Sequence, residues 1–215
     1  MKKVRTFPIL VLLGLVSLAG CVPVAVVGVG AGAAALGYED RRTAGTMVED
    51  EGIELRANNR IAERFGDKAH INVTSYNRSV LLTGEAPDEK AKAEIEKIAQ
   101  SVSTVRGVTS DLRAAPLSSY SARANDSAIT GKVKARFVDA SKFNAIHVKV
   151  VTEDSVVYLL GWVTEAEATD ATEIARTTGG VRKVVKVFEY CQPNDPVCAP
   201  RSKPKAEEPK KDAKK

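Results

Sequence analysis

Residues 48–114 and 125–190 are two copies of one unit, and that duplication constrains the fold more than any other feature of the chain. Arg64-Phe65 matches Arg136-Phe137 at an offset of 72. His70-Ile71-x-Val73 matches His147-Val148-x-Val150, and Leu82-Thr83-Gly84 matches Leu159-Leu160-Gly161, both at 77. Ile98-Ala99 matches Ile174-Ala175, and Val105-Arg106-Gly107-Val108 matches Val181-Arg182-Lys183-Val184, both at 76. The offset changes only between elements, where loops tolerate insertion. The second copy holds five extra residues within Val138 to Ile146.

Each copy reads helix, strand, strand, helix, strand. Ile53, Ala57, Ile61 and Phe65 recur every four residues, as do Ile129, Val133 and Phe137, which gives each first helix one apolar stripe. Asp126 or Ser127 is placed to cap the second copy's first helix. Ile71/Val73 and Val148/Val150 alternate with polar residues, so these strands are expected to have one buried face and one wet face. Asn77-Arg78 and Asp154-Ser155 are turn pairs leading into richer strands over Val80 to Leu82 and Val156 to Leu160. Gly84 and Gly161 are expected to end those strands where the chain turns towards a helix. Helices over Asp88 to Ser101 and Glu165 to Thr177 follow, then strands over Val105 to Leu112 and Val181 to Tyr190. The order predicts an α+β fold: two tandem αββαβ units, each a three-stranded mixed sheet with both helices on one face. A unit below about 70 residues buries only some 60% of its unfolded surface. The copies are therefore expected to pack together, or to be held close by the linker at 115–124.

The amino terminus carries a second signal. Lys2, Lys3 and Arg5 precede an apolar run from Phe7 to Val16, too short to span a bilayer, and Leu18-Ala19-Gly20-Cys21 closes it. A small-residue pair before cysteine resembles the lipobox of bacterial lipoprotein signal peptides. The resemblance implies that residues 1–20 are removed, that Cys21 takes a thioether-linked lipid and that its new amino group is acylated. Several acyl chains at about 0.8 kcal/mol per buried CH₂ make such an anchor effectively permanent. A transmembrane helix from Ile9 to Leu36 is the weaker alternative, because Gly14, Gly20, Pro23, Gly28, Gly30 and Gly32 interrupt it. Residues 21–47 then read as anchor and linker, with Val22 to Gly37 almost all Val, Ala and Gly and Asp40-Arg41-Arg42-Thr43 marking the switch to polar sequence.

With Cys21 lipidated, Cys191 and Cys198 remain as a pair with Gln192 to Val197 between them. In an oxidising periplasm that spacing makes a small disulfide loop. A metal site there lacks further ligands, since no histidine lies nearby. The formal net charge of +5 misleads. Three positive charges belong to the leader, and the tail after Cys198 carries seven basic against three acidic residues, so the body is −2. Residues 191–215 read as the disulfide loop followed by a basic tail with too little apolar surface to fold. That tail is either a solubilising end or a weak attraction to an anionic surface, worth about 1 kcal/mol per basic residue near it.

The element order, the Gly closing the second strand and the Val-x-x-Val opening the last one resemble the BON domain (bacterial OsmY and nodulation). The resemblance is strongest at Asn125-Asp126-Ser127, Lys132-Val133, Val148-Lys149-Val150, Thr152-Glu153, Gly161-x-Val163-Thr164-Glu165 and Gly180-Val181. Two such domains behind a lipobox resemble the dual-BON outer-membrane lipoproteins of the DolP type. The resemblance implies a lipid-anchored protein on the periplasmic face of the outer membrane. It implies binding of anionic phospholipid through the second domain, enrichment at division sites and support of outer-membrane integrity. Val22, rather than Asp, after the cysteine agrees with outer-membrane sorting as known in enterobacteria.

The candidate contact lies on the first helix of the second unit. With Ile129, Val133 and Phe137 inward, Ala128, Lys132, Ala135 and Arg136 face solvent or the flanks. Lys132, Lys134, Arg136 and Lys142 are expected to gather positive charge beside an apolar tip at Phe143, which suits a phosphate-headed surface. Such relatives can carry an aromatic where this chain has Ala128, which leaves Phe143 or Trp162 to make that contact. His70 and His147 begin the same strand in both copies, so a structural role is expected rather than proton transfer. No nucleophile–base spacing, metal cluster or phosphate-cradling loop accompanies them in the sequence. The expectation is a protein without catalysis, metal, cofactor, small-molecule substrate or nucleic-acid partner. The alternative is an adaptor docking envelope proteins such as barrel-assembly or peptidoglycan-remodelling machinery.

Overall fold

Thr43 starts the first helix of the computed structural model, which describes residues 40–198. Its hydroxyl accepts the Thr46 N–H at 3.1 Å, satisfying one of the orphan donors of the first turn. Helix α1 (Ala44–Phe65) leads through a short 3₁₀ turn to β1 (His70–Tyr76), β2 (Ser79–Ala86), α2 (Glu89–Gln100) and β3 (Gly107–Ala114). The second copy repeats this as α3 (Tyr120–Ala140), a short 3₁₀ turn, β4 (Val148–Glu153), β5 (Val156–Val163), α4 (Glu165–Arg176) and β6 (Lys183–Tyr190). In each sheet the middle strand pairs antiparallel with the first and parallel with the third. The leader, Cys21, the Val/Ala/Gly segment and the basic tail lie outside the described residues.

The apolar stripes pack as their spacing demands. Ile53, Ala57 and Ile61 of α1 meet Ile95 and Ala99 of α2 on Val73, Val80 and Leu82 of the first sheet. In the second copy Ile129, Val133 and Phe137 meet Ala171 and Ile174 on Val150, Val157 and Leu159. Both hairpins close through two-residue turns whose residues all have positive φ: Asn77 at 51° and Arg78 at 64°, Asp154 at 48° and Ser155 at 60°. That conformation matches the right-handed twist of the flanking strands.

Three expectations need correction. Asp126 does not cap α3, which begins earlier, with Ser119 as the capping residue, and leaves only 115–119 between the copies. Asp126 is buried in mid-helix and accepts the backbone N–H groups of Asp154 at 2.9 Å and Ser155 at 2.8 Å. Asp50, its repeat partner in α1 at an offset of 76 rather than 72, takes the N–H groups of Asn77 at 2.9 Å and Arg78 at 2.7 Å, the Ser75 hydroxyl at 2.7 Å and a guanidinium N–H of Arg42 at 2.9 Å. Each copy thus uses a helix carboxylate to satisfy donors that a tight turn would otherwise bury unpaired.

Gly84 and Gly161 do not end their strands; both lie inside them. A Cβ would come within 2.0 Å of the His70 carbonyl oxygen at Gly84 and within 2.4 Å of the His147 carbonyl oxygen at Gly161. The glycines permit that close approach of the neighbouring strand, and Gly84, at φ 117°, also needs their conformational freedom.

The sheet faces turned away from the helices are not wet. Tyr76 and Leu81 of the first copy pack against Val156, Tyr158 and Leu160 of the second, with Trp162, Val185 and Val187 at the margin. Polar bonds ring this interface. Tyr158 Oη donates to Asp111 at 2.7 Å, Asn77 to Glu189 at 2.8 Å, Lys149 to Glu54 at 2.7 Å and Asn72 to Glu153 at 2.6 Å. Asp40–Arg42 straps the same junction. Arg41 bonds the Trp162 carbonyl at 2.6 Å and grips Glu167 of α4 with two hydrogen bonds at 2.8 and 2.9 Å. Arg42 bonds Asp40 and Asp50 and lies over the Tyr76 ring at 4.2 Å. Beyond β6, Cys191 and Cys198 are joined as a disulfide with Cα atoms 6.2 Å apart.

Asp126→Ala, which strips the Asp154–Ser155 turn of its buried acceptor, is expected to lower stability by about 3 kcal/mol, with Asp126→Asn about half as costly, read from urea unfolding. A second expectation concerns acid. Burial alone would raise the Glu167 carboxyl, but hydrogen bonds from Arg41 and Thr164 and the Arg41 charge outweigh it and hold the group at about 2. Its folded-state value lies below the ordinary carboxylate range, so the stabilisation is complete above pH ~4.5 and is lost as pH falls towards ~2. Arg41→Ala should remove most of that contribution, of order 3 kcal/mol, at pH 7 and little of it near pH 2, as measured by urea unfolding at both pH values.

Candidate functional site

Helix α3 presents the candidate face. The inward line Ile129, Val133 and Phe137 is fully covered, so the helical period turns Ala124, Ala128, Gly131, Ala135 and Val138 outward. Ala128 and Ala135 are exposed, a Cβ at Gly131 would meet nothing within 4 Å, and Val138 is 64% exposed. Lys132 flanks this line on one side and Lys134 on the other, both exposed. Neither is engaged in a hydrogen bond or ion pair among the described residues. The result is a smooth, low ridge of small side chains between two solvated ammonium groups.

The other residues expected at this site are placed differently. Phe143 is not an apolar tip: its ring meets Phe137 edge-on, with centroids 5.0 Å apart, and joins the second core. Arg136 is half-buried and donates from Nη1 to the Ile174 carbonyl at 2.8 Å and the Thr178 hydroxyl at 2.7 Å, which ties α3 to the end of α4. Lys142 is paired with Asp170 at 2.8 Å, and that hydrogen bond and charge raise its pKa. Trp162 is half-buried at the junction between the copies, and its backbone N–H donates to Tyr76 Oη at 3.3 Å. The charge cluster of the sequence therefore divides into two free lysines and two cations with internal partners.

The two histidines share a repeat position and not an environment. His147 lies with Nδ1 3.6 Å from Glu167. His70 borders an open cleft of about 340 Å³ between the first copy and α3–β4, lined also by Asn72, Arg123, Asp126 and Glu153. Burial, then the charge of Arg123, lowers the His70 pKa. One donor atom each from His70, Glu85 and Glu153 lie within 4.8 Å of one another, a group of potential metal ligands that sequence reading missed. Its members stand on three strands in two copies, so spacing along the chain could not disclose it. Burial pushes the Glu153 carboxyl up to about 6, against the opposing effect of its hydrogen bond from Asn72. Among the described residues no helix is long and apolar enough to cross a membrane.

Comparison with known proteins adds two findings. The BON domain profile matches residues 49–116 and 125–192, together more than half of the chain. Over 80% of its length the chain is 38% identical to the outer membrane lipoprotein DolP of Haemophilus influenzae, covering 90% of that protein. It is 36% identical to a 21 kDa hemolysin of Actinobacillus pleuropneumoniae, over 71% of this chain and 80% of the other. It is 30% identical to the osmotically-inducible protein Y of Escherichia coli, over 65% of this chain and 72% of the other.

Proposed function

The chain belongs to the BON domain family, with two tandem copies, and from that premise we propose that it is a non-catalytic outer-membrane lipoprotein whose second copy recognises anionic phospholipid. The observation that carries this reading is the outward face of α3, with Ala128, Gly131 and Ala135 between Lys132 and Lys134. Small side chains let the helix lie close to a headgroup plane, and two unengaged lysines gain about 1 kcal/mol each beside an anionic surface. Anchoring at Cys21 on the periplasmic face would hold that surface within reach, so the helix contact need only be weak. The same reading includes enrichment at division sites and support of outer-membrane integrity, as the family resemblance implies. Arg136 and Phe143 then serve the contact indirectly, by fixing α3 on its own core.

Vesicle sedimentation tests this. Vesicles rich in phosphatidylglycerol should retain a soluble form lacking Cys21, and neutral vesicles should not. Lys132→Glu with Lys134→Glu is expected to weaken retention at least tenfold without changing the thermal midpoint. Equal binding to charged and neutral vesicles sinks the reading, and a stoichiometric protein adduct on crosslinking in cells would favour envelope-partner docking instead.

A further inference from the structure

We propose that His70, Glu85 and Glu153 form a binding site for one divalent transition-metal ion, with Zn²⁺ the ion their chemistry fits best. His70 and Glu85 are directly opposed in the β1–β2 register, and Glu153 closes β4 of the other copy. Their nearest donor atoms already lie within 4.8 Å of one another. Tetrahedral ligands around zinc stand roughly 3.4 Å apart, a difference that small rotations of two glutamate side chains close.

The charges at the site are consistent with a cation. Glu85 is 1% exposed and Glu153 5%, so water cannot solvate either carboxylate well. Glu85 takes the Arg113 guanidinium at 2.6 Å and the Ser118 N–H at 3.1 Å. Glu153 has only the neutral Asn72 amide at 2.6 Å, and no cationic group is hydrogen-bonded to it among the described residues. The His70 imidazole likewise has no hydrogen bond among them. Arg123, the nearest other cation lining the cleft, directs its guanidinium to the Ser118 carbonyl at 2.9 Å and hydroxyl at 3.1 Å. One buried carboxylate with no cationic hydrogen-bond partner, a second shared with Arg113 and an imidazole with no hydrogen bond offer three donors to a cation, and the adjoining cleft of about 340 Å³ admits it together with the water that completes its coordination.

The donor set also selects the ion. Calcium and magnesium favour cages of oxygen alone, whereas one imidazole nitrogen with carboxylate oxygens suits zinc. Because Glu85 and Glu153 belong to different copies, the bound ion cross-links the two halves. This inference is independent of the membrane reading and survives its failure.

The test is calorimetric titration of the full chain, in detergent micelles and stripped by chelator, with Zn²⁺ alone near neutral pH. The expected result is saturable binding of one ion per chain, weakened at least tenfold in His70→Asn and in Glu153→Gln. Both variants are first checked for native near-ultraviolet circular dichroism. X-ray absorption of the zinc-loaded chain should show one imidazole nitrogen and two or more oxygens around the metal. Absence of saturable binding overturns the proposal, as does unchanged affinity in both folded variants. If neither variant folds, the absorption spectrum decides, and sulfur or several imidazoles around the metal overturns it.

Discussion

A buried carboxylate in each long helix holds the rest of the structure in place. Asp50 and Asp126 reach from mid-helix to the N–H groups of a hairpin turn whose two residues lie in the left-handed region. Both carboxylates are buried, so without them the turn N–H groups aimed at the helix would lose their acceptor. The bond fixes where the hairpin stands against its helix. The third strand then adds parallel to β2 or β5, and the apolar stripe of each helix meets the same sheet face in both copies.

That arrangement uses both faces of each sheet. One face carries a core under two helices, and the other meets its counterpart through Tyr76, Leu81, Tyr158 and Leu160. A domain of under 70 residues is marginal alone, and mutual burial of the second faces gives each copy apolar contacts it could not find within itself. The interface also explains why its rim is polar. Bonds such as Asn77–Glu189 and Lys149–Glu54 set the register of two surfaces that greasy contact alone would allow to slide. The Arg41–Glu167 and Arg42–Asp50 pairs tie the segment that precedes α1 to both copies at once. With the inner faces spent on each other, the helices form the outside, and the exposed ridge of α3 is available for an external surface.

Much of this was legible in the chain. The duplication, the four-residue spacing of Ile53, Ala57 and Ile61, and the turn pairs Asn77-Arg78 and Asp154-Ser155 translate directly into elements, because period and turn chemistry are local properties. Gly84 and Gly161 stand out as special positions, but an approaching carbonyl from a strand about 14 residues away, rather than a turn, demands them. Asp126 looked like a helix cap because its true partners, Asp154 and Ser155, are remote in sequence. Phe143 looks like an exposed tip in the sequence, yet the loop after α3 folds it back onto Phe137.

The sequence by itself determined the unit, its repetition, its helix and strand order and which residues line each core, since all of these follow from periodicity over a few turns. Only the tertiary structure decided that the polar-alternating strand faces are buried against each other, and that Arg136 and Lys142 are occupied while Lys132 and Lys134 are free. It also brought His70, Glu85 and Glu153 together. The physical reason is the same in each case: pairing and burial depend on distances between residues far apart in the chain, and no local pattern encodes them.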